Sequence, residues 1–222
     1  MTSSACCVAA DEPATVAASA AVQVRPAALV DAPGIASVHL RSWQATYPGL
    51  LPDTEIERHT VANRLTHWQR MLLAPAAQAN IWVAVRADVV IGFASGGAFR
   101  VESPGAQGHT DAPAEGEGVG KGEGAGAGEG AAQVDGELNA LYLLPDAQGQ
   151  GIGRQLFDAS ARALQAAGFP GLRCWVLEGN PAIGFYEHLG GVRVATKSYA
   201  ALGATVPQHC YRFALTQPRS SL

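Results

Sequence analysis

Several things are missing from this 222-residue chain, and each absence removes a class of function. No broad basic field exists: net charge is −4, and only two of the fifteen basic residues are lysine, Lys121 and Lys197. That argues against nucleic acid or an anionic membrane surface as partner. No apolar run approaches the roughly eighteen residues of a membrane-spanning helix. The first twenty residues carry Asp11, Glu12 and Pro13 and lack the basic start and continuous apolar stretch of a secretory signal. Cysteine makes no framework. Cys6 and Cys7 are adjacent, Cys174 and Cys210 stand alone, and no spacing suits zinc. Cys174 reads as a small buried apolar residue. The six histidines (His39, His59, His67, His109, His188 and His209) are scattered and form no metal set. The expectation is a cytoplasmic protein that uses no metal.

What is present suits one compact domain with a real core. Strands are expected near 22–26, at 81–86 and 89–95 across a tight Ala87-Asp88 turn, at 137–144 and at 172–177. Two more are expected at 192–198 and 209–215, with a loop over 200–206. Asp31 can cap a helix over 32–46 that buries Ile35, Val38 and Ser42. A second helix starts at Asp53 or Thr54, with Ile56, Thr60, Leu65, Trp68 and Leu72 on its apolar side. A third follows Gly153, from Arg154 to Ala167, with Ile152, Leu156, Ala163 and Ala167 on one face and Gly168 as its stop. A short fourth helix runs over 181–189 and stops at Gly190-Gly191. Alternating strands and helices with antiparallel ends indicate a mixed α/β sheet.

Composition shifts abruptly at 102–134, where Gly, Ala and Glu dominate and aliphatic residues nearly vanish. Such a stretch buries too little apolar surface to offset its ordering entropy. It reads as a disordered insertion between the third and fourth strands. The expected organisation is a disordered tail over 1–20, one domain over 21–216 interrupted by 102–134, and a tail over 217–222.

The most informative run is Gln148-Gly149-Gln150-Gly151-Ile152-Gly153, placed between a strand and a helix. That arrangement presents backbone N–H groups and a helix dipole to a phosphate. A Walker loop would end in Gly-Lys-Ser/Thr, whereas Gly153 is followed by Arg154-Gln155. A dinucleotide fingerprint needs an acid about twenty residues on, where Arg173-Cys174 stand instead. A purely structural glycine turn remains open on the local pattern alone.

Together with Leu141-Tyr142-Leu143-Leu144-Pro145, the Gln148-x-x-Gly151-x-Gly153 run resembles the acyl-CoA signature of the GNAT superfamily of N-acetyltransferases. Asn180-Pro181-Ala182-Ile183-Gly184-Phe185-Tyr186-Glu187-His188-Leu189-Gly190 resembles the family's second signature, with six residues from Asn to Tyr where many members have seven. Val24-Arg25-Pro26-Ala27 with Asp31 and Ile35 resembles the first strand and helix, and the run from Ser42 to Pro52 the acceptor-side segment. The likeness covers roughly residues 21–215 apart from the insertion, which the family usually replaces by a short turn.

This resemblance implies an α/β (α+β) fold: a mixed, mostly antiparallel seven-stranded twisted sheet flanked by helices, its fourth and fifth strands splayed to admit pantetheine. It implies acetyl-CoA as co-substrate and a primary amine as acceptor, joined by direct attack in a ternary complex. The cofactor-binding set would be Leu141, Tyr142 and Leu143 through their main chains, the loop residues Gln148, Gly149, Gln150, Gly151, Ile152 and Gly153, then Arg154 and Asn180. Tyr186 would protonate the departing thiolate, and the N–H of Leu143 would serve the oxyanion. Glu137, sharing strand parity with Asn139 and Leu141, matches an acid often found there as general base. Trp43 and Tyr47 would line the acceptor side.

The residues alone leave alternatives. Tyr186 could be an aromatic packing beside Phe185, Glu137 a solvated strand end, and Arg154 an exposed helix start. A Cys174 acyl-enzyme is disfavoured, because no helix N-terminus or cation is evident to activate the thiol. A non-catalytic acyl-CoA sensor is the competing function. The acceptor's identity, donors longer than acetyl and a homodimer are left open.

Overall fold

The computed structural model describes residues 21–74, 80–98, 135–201 and 204–215. The expected tails and the 102–134 insertion lie outside the described residues. Seven strands form one sheet: β1 (Gln23–Pro26), β2 (Asn80–Arg86), β3 (Val89–Ala98), β4 (Gly136–Leu143), β5 (Gly171–Leu177), β6 (Val192–Ala201) and β7 (Ala204–Ala214). Their spatial order is β1-β2-β3-β4-β5-β7-β6. All neighbours are antiparallel except β4 and β5, which run parallel. The helices are α1 (Ala32–Thr46), α2 (Asp53–Glu57), α3 (Val61–Leu73), α4 (Ile152–Ala166) and α5 (Ala182–His188).

Local sequence explains most of the boundaries. Ala87 and Asp88 both take positive φ, 47° and 62°, the backbone a two-residue hairpin needs to match strand twist. Gly168 and Gly190 take the left-handed conformation after α4 and α5. At α4, Gly168 N–H bonds to Gln165 C=O and Phe169 N–H to Leu164 C=O. At α5, the same pair of bonds runs from Gly190 to Glu187 and from Gly191 to Tyr186. Carbonyls left over at each helix end are thereby satisfied.

Four sequence expectations are corrected. Asp31 does not cap α1 with its side chain. Its carboxylate takes two hydrogen bonds from Arg25, at 2.7 and 2.8 Å, and one from Ala28 N–H, tying β1 to the turn before the helix. The expected second helix is two helices. Thr60 is not on an apolar face but starts α3, its hydroxyl accepting from Asn63 N–H while the Asn63 side chain accepts from Thr60 N–H. Ala167 is exposed, and the inner face of α4 runs through Ile152, Leu156, Ser160 and Leu164. Finally, 200–206 is mostly strand, because β6 and β7 pair beyond the end of β5 as an overhanging hairpin.

The core occupies both faces of the sheet. On one, Trp68 of α3 and His39 of α1 pack on Phe93. On the other, α4 lies so close that a Cβ on Gly136 would meet Leu164 at 2.9 Å, and Phe157 packs edge-on against Phe213. Two irregularities in the sheet position the site. The register of β3 on β4 slips between Ser95 and Gly96, leaving Asn139 as an extra residue in β4. Pairing of β4 with β5 stops after Gly136–Leu172 and Glu137–Arg173. Past that point the strands diverge.

Candidate active site

Where β4 and β5 part, a cavity of about 110 Å³ opens. Its walls come from β4 (Asn139, Leu141, Tyr142), β5 (Cys174, Trp175) and α5 (Tyr186). The end of α1 and the segment after it add Trp43, Tyr47 and Leu51, and the overhanging hairpin adds Tyr199 and Gln208.

The bulge decides which β4 side chains face which side. Register pairs Phe93, Ser95 and Gly97 with Tyr142, Ala140 and Glu137, while Ala94 and Gly96 pair with Leu141 and Leu138. Side chains alternate across a strand, so the extra residue Asn139 shifts the phase. Glu137 therefore does not share parity with Leu141, as simple alternation predicts. It lies on the face of Tyr142, the face covered by α1 and α3. Leu141 and Leu143 lie on the face of α4, with Cys174 and Tyr186 on that same side.

Glu137 is only 4 % exposed, which removes the reading of a solvated strand end. It sits at the fork, in register with Arg173, and is not itself a wall of the cavity. Tyr186 does line the cavity and is 7 % exposed. Its hydroxyl makes no hydrogen bond among the described residues. Burial, then the neighbouring Cys174 and Tyr47, pushes its pKa well above the ordinary tyrosine value, so the proton stays on oxygen at neutral pH. Burial likewise pushes the Cys174 thiol up, which makes it a poor nucleophile.

Main-chain direction on β4 follows from one bond. Leu144 N–H donates to Ile91 C=O at 2.9 Å, so it points to β3. Alternate residues of a strand point opposite ways, which turns the N–H of Leu143 and Leu141 toward the gap and that of Tyr142 toward β3. The expected main-chain role of Tyr142 in cofactor binding is corrected accordingly. Its contribution to the cavity is the side chain, whose hydroxyl accepts from Trp43 Nε1 at 3.0 Å and lies 3.1 Å from the Tyr47 hydroxyl. Leu143 C=O is already used by Ser42 Oγ at 3.2 Å and Gln148 Nε2 at 3.3 Å.

After β4 comes the glycine loop. Gly149 and Gly151 take φ of 71° and 76°, and a Cβ on either would meet no atom within 4 Å. The concave side of this turn is open, and α4 begins at Ile152, so the N–H groups of Ile152, Gly153 and Arg154 have no intrahelical acceptor. Such a cradle fits a diphosphate. The remaining loop residues divide. Ile152 is a core side chain at 2 % exposure and can offer only its N–H. Gly153 serves packing, since a Cβ there would press on Leu143 at 3.2 Å and Phe185 at 3.4 Å. Gln150 is held by Arg86 and by Asp146 C=O, so it shapes the loop. Arg154 is exposed and pairs loosely with Asp158 at 3.9 Å, at the mouth of the cradle. Asn180 lines the cavity, but its side-chain oxygen accepts from Ala182 N–H at the start of α5. Positioning that helix, and with it Tyr186, is the contact observed for Asn180.

Residues 40–191 match the acetyltransferase (GNAT) family. The chain belongs to that family. As a member it is an acyltransferase enzyme. A curated GNAT relative, the uncharacterized N-acetyltransferase YuaI of Bacillus subtilis strain 168, is 31 % identical over 188 residues, 84 % of this chain and 90 % of the relative. Among solved GNAT folds, an N-acetyltransferase from Staphylococcus aureus Mu50 superposes with a TM-score of 0.60 at 18 % identity, covering 88 % of this chain and 99 % of the other. YncA from Salmonella typhimurium, whose structure holds its cofactor acetyl-CoA, gives 0.59 at 19 % identity over 90 % and 96 %.

Sequence reasoning missed four contributors. Trp175 looked like an ordinary strand residue, although the period of two puts it opposite buried Cys174, and Tyr199 fell between the strand expected at 192–198 and the loop expected over 200–206. Ser42 stood among apolar residues of α1, which for a hydroxyl signals a specific partner. Asp135, just before β4, gathers Arg173 and Arg212 at the fork. That contact is long-range and leaves no local trace.

Proposed function

We propose that this enzyme transfers an acetyl group from acetyl-CoA to a primary amine by direct attack within a ternary complex. The observation carrying the reading is the fork. The glycine cradle lies beside one end of it, free N–H groups of β4 line it, and a protonated tyrosine faces it from α5. Gly149, Gly151 and the first N–H groups of α4 would hold the diphosphate, with Arg154 available at the mouth. Leu141 would pair through its main-chain groups with an amide of the pantetheine arm, while Leu143 would offer its N–H to the thioester end. Bound there, the co-substrate supplies an activated thioester carbonyl.

Three tasks fall to the protein. An alkylammonium has a pKa of about 10.4 and must lose a proton before it can attack. Glu137, buried at the fork on the acceptor face, would accept that proton through water. Leu143 N–H would donate to the carbonyl oxygen as charge builds on it. Tyr186, kept protonated by burial, would give its proton to the sulfur as the C–S bond breaks. Direct attack is favoured over a covalent route because the Cys174 thiol is buried and pushed toward its neutral form.

A panel of amines incubated with acetyl-CoA, read by thiol release and by product mass, tests the proposal. Intersecting initial-velocity lines and full activity of Cys174→Ala are expected. Parallel lines, or loss of transfer in folded Cys174→Ala, would replace direct attack by an acyl-enzyme. Tight acetyl-CoA binding without any transfer would favour the sensor function.

A further inference from the structure

The cavity on the acceptor side has a composition that bears on what enters it. Five aromatic side chains, Trp43, Tyr47, Tyr142, Trp175 and Tyr199, make most of that wall. Polar contributions beyond the tyrosine hydroxyls come from neutral amides: Asn139, Asn180 and Gln208. Among the described residues, no Asp, Glu, Lys, Arg or His lines the cavity.

Two cations lie near it without entering. Lys197 Nζ stands 4.3 Å from the ring centre of Trp175, and the Arg64 guanidinium 5.1 Å from that of Trp43. Lys197 reaches Trp175 from β6, the strand farthest from the fork on that side of the sheet. Arg64 comes from α3 and is itself 2 % exposed. Both indoles are therefore already engaged by positive charge.

We propose that the acceptor is a primary amine on an apolar, uncharged carbon frame, arylalkyl by preference, and not an α-amino acid or a diamine. The inference rests on the amine-acetylation reading above and narrows it to a substrate class. An α-carboxylate sits one carbon from the reacting nitrogen, so it must enter the cavity with the amine. There it would lose its water and meet no cationic side chain in exchange, a large penalty for a charge. A second ammonium would likewise lose its water and meet no carboxylate in the wall. A flat or aliphatic body, by contrast, gains from burial against five rings. Discrimination of this kind comes from a missing partner for the wrong substrate as much as from contacts to the right one.

Matched acceptors test it. Phenethylamine and L-phenylalanine differ only in the carboxylate; hexylamine and 1,6-diaminohexane differ only in the second amine. The expected result is a kcat/KM for each uncharged-frame amine about tenfold or more above its charged partner. Equal or better use of phenylalanine, or of the diamine, overturns the proposal and leaves the transferase reading standing. A folded protein that binds acetyl-CoA in calorimetry yet transfers to none of the four overturns both.

Tyr199→Arg supplies a second measurement. Tyr199 lies on the hairpin beyond the last β5 pair, Leu177–Gln208, so a substitution there leaves the pairing of β5 with β7 untouched. Placing a cation in the wall should raise the phenylalanine-to-phenethylamine ratio about tenfold. An unchanged ratio in the folded, active variant would mean that this wall does not contact the acceptor, and the proposal would fall.

Discussion

Glu137 and Arg173 are the last register partners that join β4 to β5. Below them the sheet is continuous; above them two strands of one sheet face each other across open space. Buried main-chain N–H and C=O groups are almost always paired, so an opening inside a sheet asks for something to fill it. The bulge at Asn139 adds twist to β4 at the same level, and the Tyr142, Tyr47 and Trp43 network holds the upper part of that strand to α1. The fork is thus a built opening, braced on its α1 side, with donors pointing into it.

Gly151→Val tests the cradle above the fork. The glycine takes φ of 76°, and its missing Cβ would project into open space. A branched side chain there meets two penalties: backbone strain at positive φ, and a side chain where a diphosphate would approach. Acetyl-CoA affinity should fall at least about tenfold, near 1.4 kcal/mol, by calorimetry on a variant verified as folded. Unchanged affinity would remove the loop from the binding site.

Tyr186→Phe keeps the ring against Phe185, Tyr211 and Phe213 and removes only the hydroxyl. That hydroxyl makes no hydrogen bond among the described residues, so its loss should cost little stability. Turnover should drop about a hundredfold while acetyl-CoA affinity holds, the pattern of a group that acts in the chemical step. Wild-type turnover would relegate Tyr186 to packing.

How much of this was legible in the sequence depended on the range of the interaction. Strands, helices and their stops were readable, because alternation, helical period and the glycines at 168 and 190 act over a few residues. The break after α2 was missed, since the Thr60–Asn63 capping pair competes locally with an apolar pattern that runs straight through it. Glu137 was placed on the wrong face for a subtler reason. A bulge of one residue at Asn139 inverts the parity of everything before it, and only the partner strand reveals the bulge. The glycine loop and Tyr186 were visible through a resemblance. Of the aromatic wall only Trp43 and Tyr47 were visible, because Trp175 and Tyr199 come from β5 and β6, which meet the end of α1 only in the folded chain.

The segment between β3 and β4 carries a prediction from both ends. Ala98 and Gly136 are register partners, so the strands on either side of residues 99–135 arrive side by side. Composition gives 102–134 little apolar surface to bury, and a long closed loop costs entropy that a short one does not. Replacing 102–134 with Asn-Gly, which suits a hairpin, should preserve the fold and acetyl-CoA affinity and hold or slightly raise the melting temperature. Amide exchange across 102–133 of the intact protein should be unprotected. Collapse of the shortened chain, or strong protection in the intact one, would show that the segment is an ordered part of the domain.

The fork's own stability rests on Asp135. Its carboxylate accepts from Arg173 Nε at 2.6 Å and from Arg212 Nε and Nη2 at 2.8 and 3.0 Å, tying the start of β4 to β5 and β7. Burial alone would push its pKa up, but the hydrogen bonds from Arg212 and Arg173 outweigh that and hold it below the ordinary aspartate value. A carboxyl with a depressed folded pKa contributes stability that is present above the unfolded value of about 3.9, and loses it as pH falls through the folded pKa. Asp135→Asn keeps the shape and leaves two guanidiniums together without their anion. Both arginine side chains are about a third exposed, at 34 % and 36 %, so water screens part of the effect. The expected loss at neutral pH is about 1–2 kcal/mol. Urea unfolding of both proteins from pH 7 downward should show a gap that is constant while Asp135 stays ionised and closes only in acid below about pH 3.9. A gap of the same size at every pH would mean that the ionised carboxylate is not the source of the loss, and that its charge does not hold the two strands together below the fork.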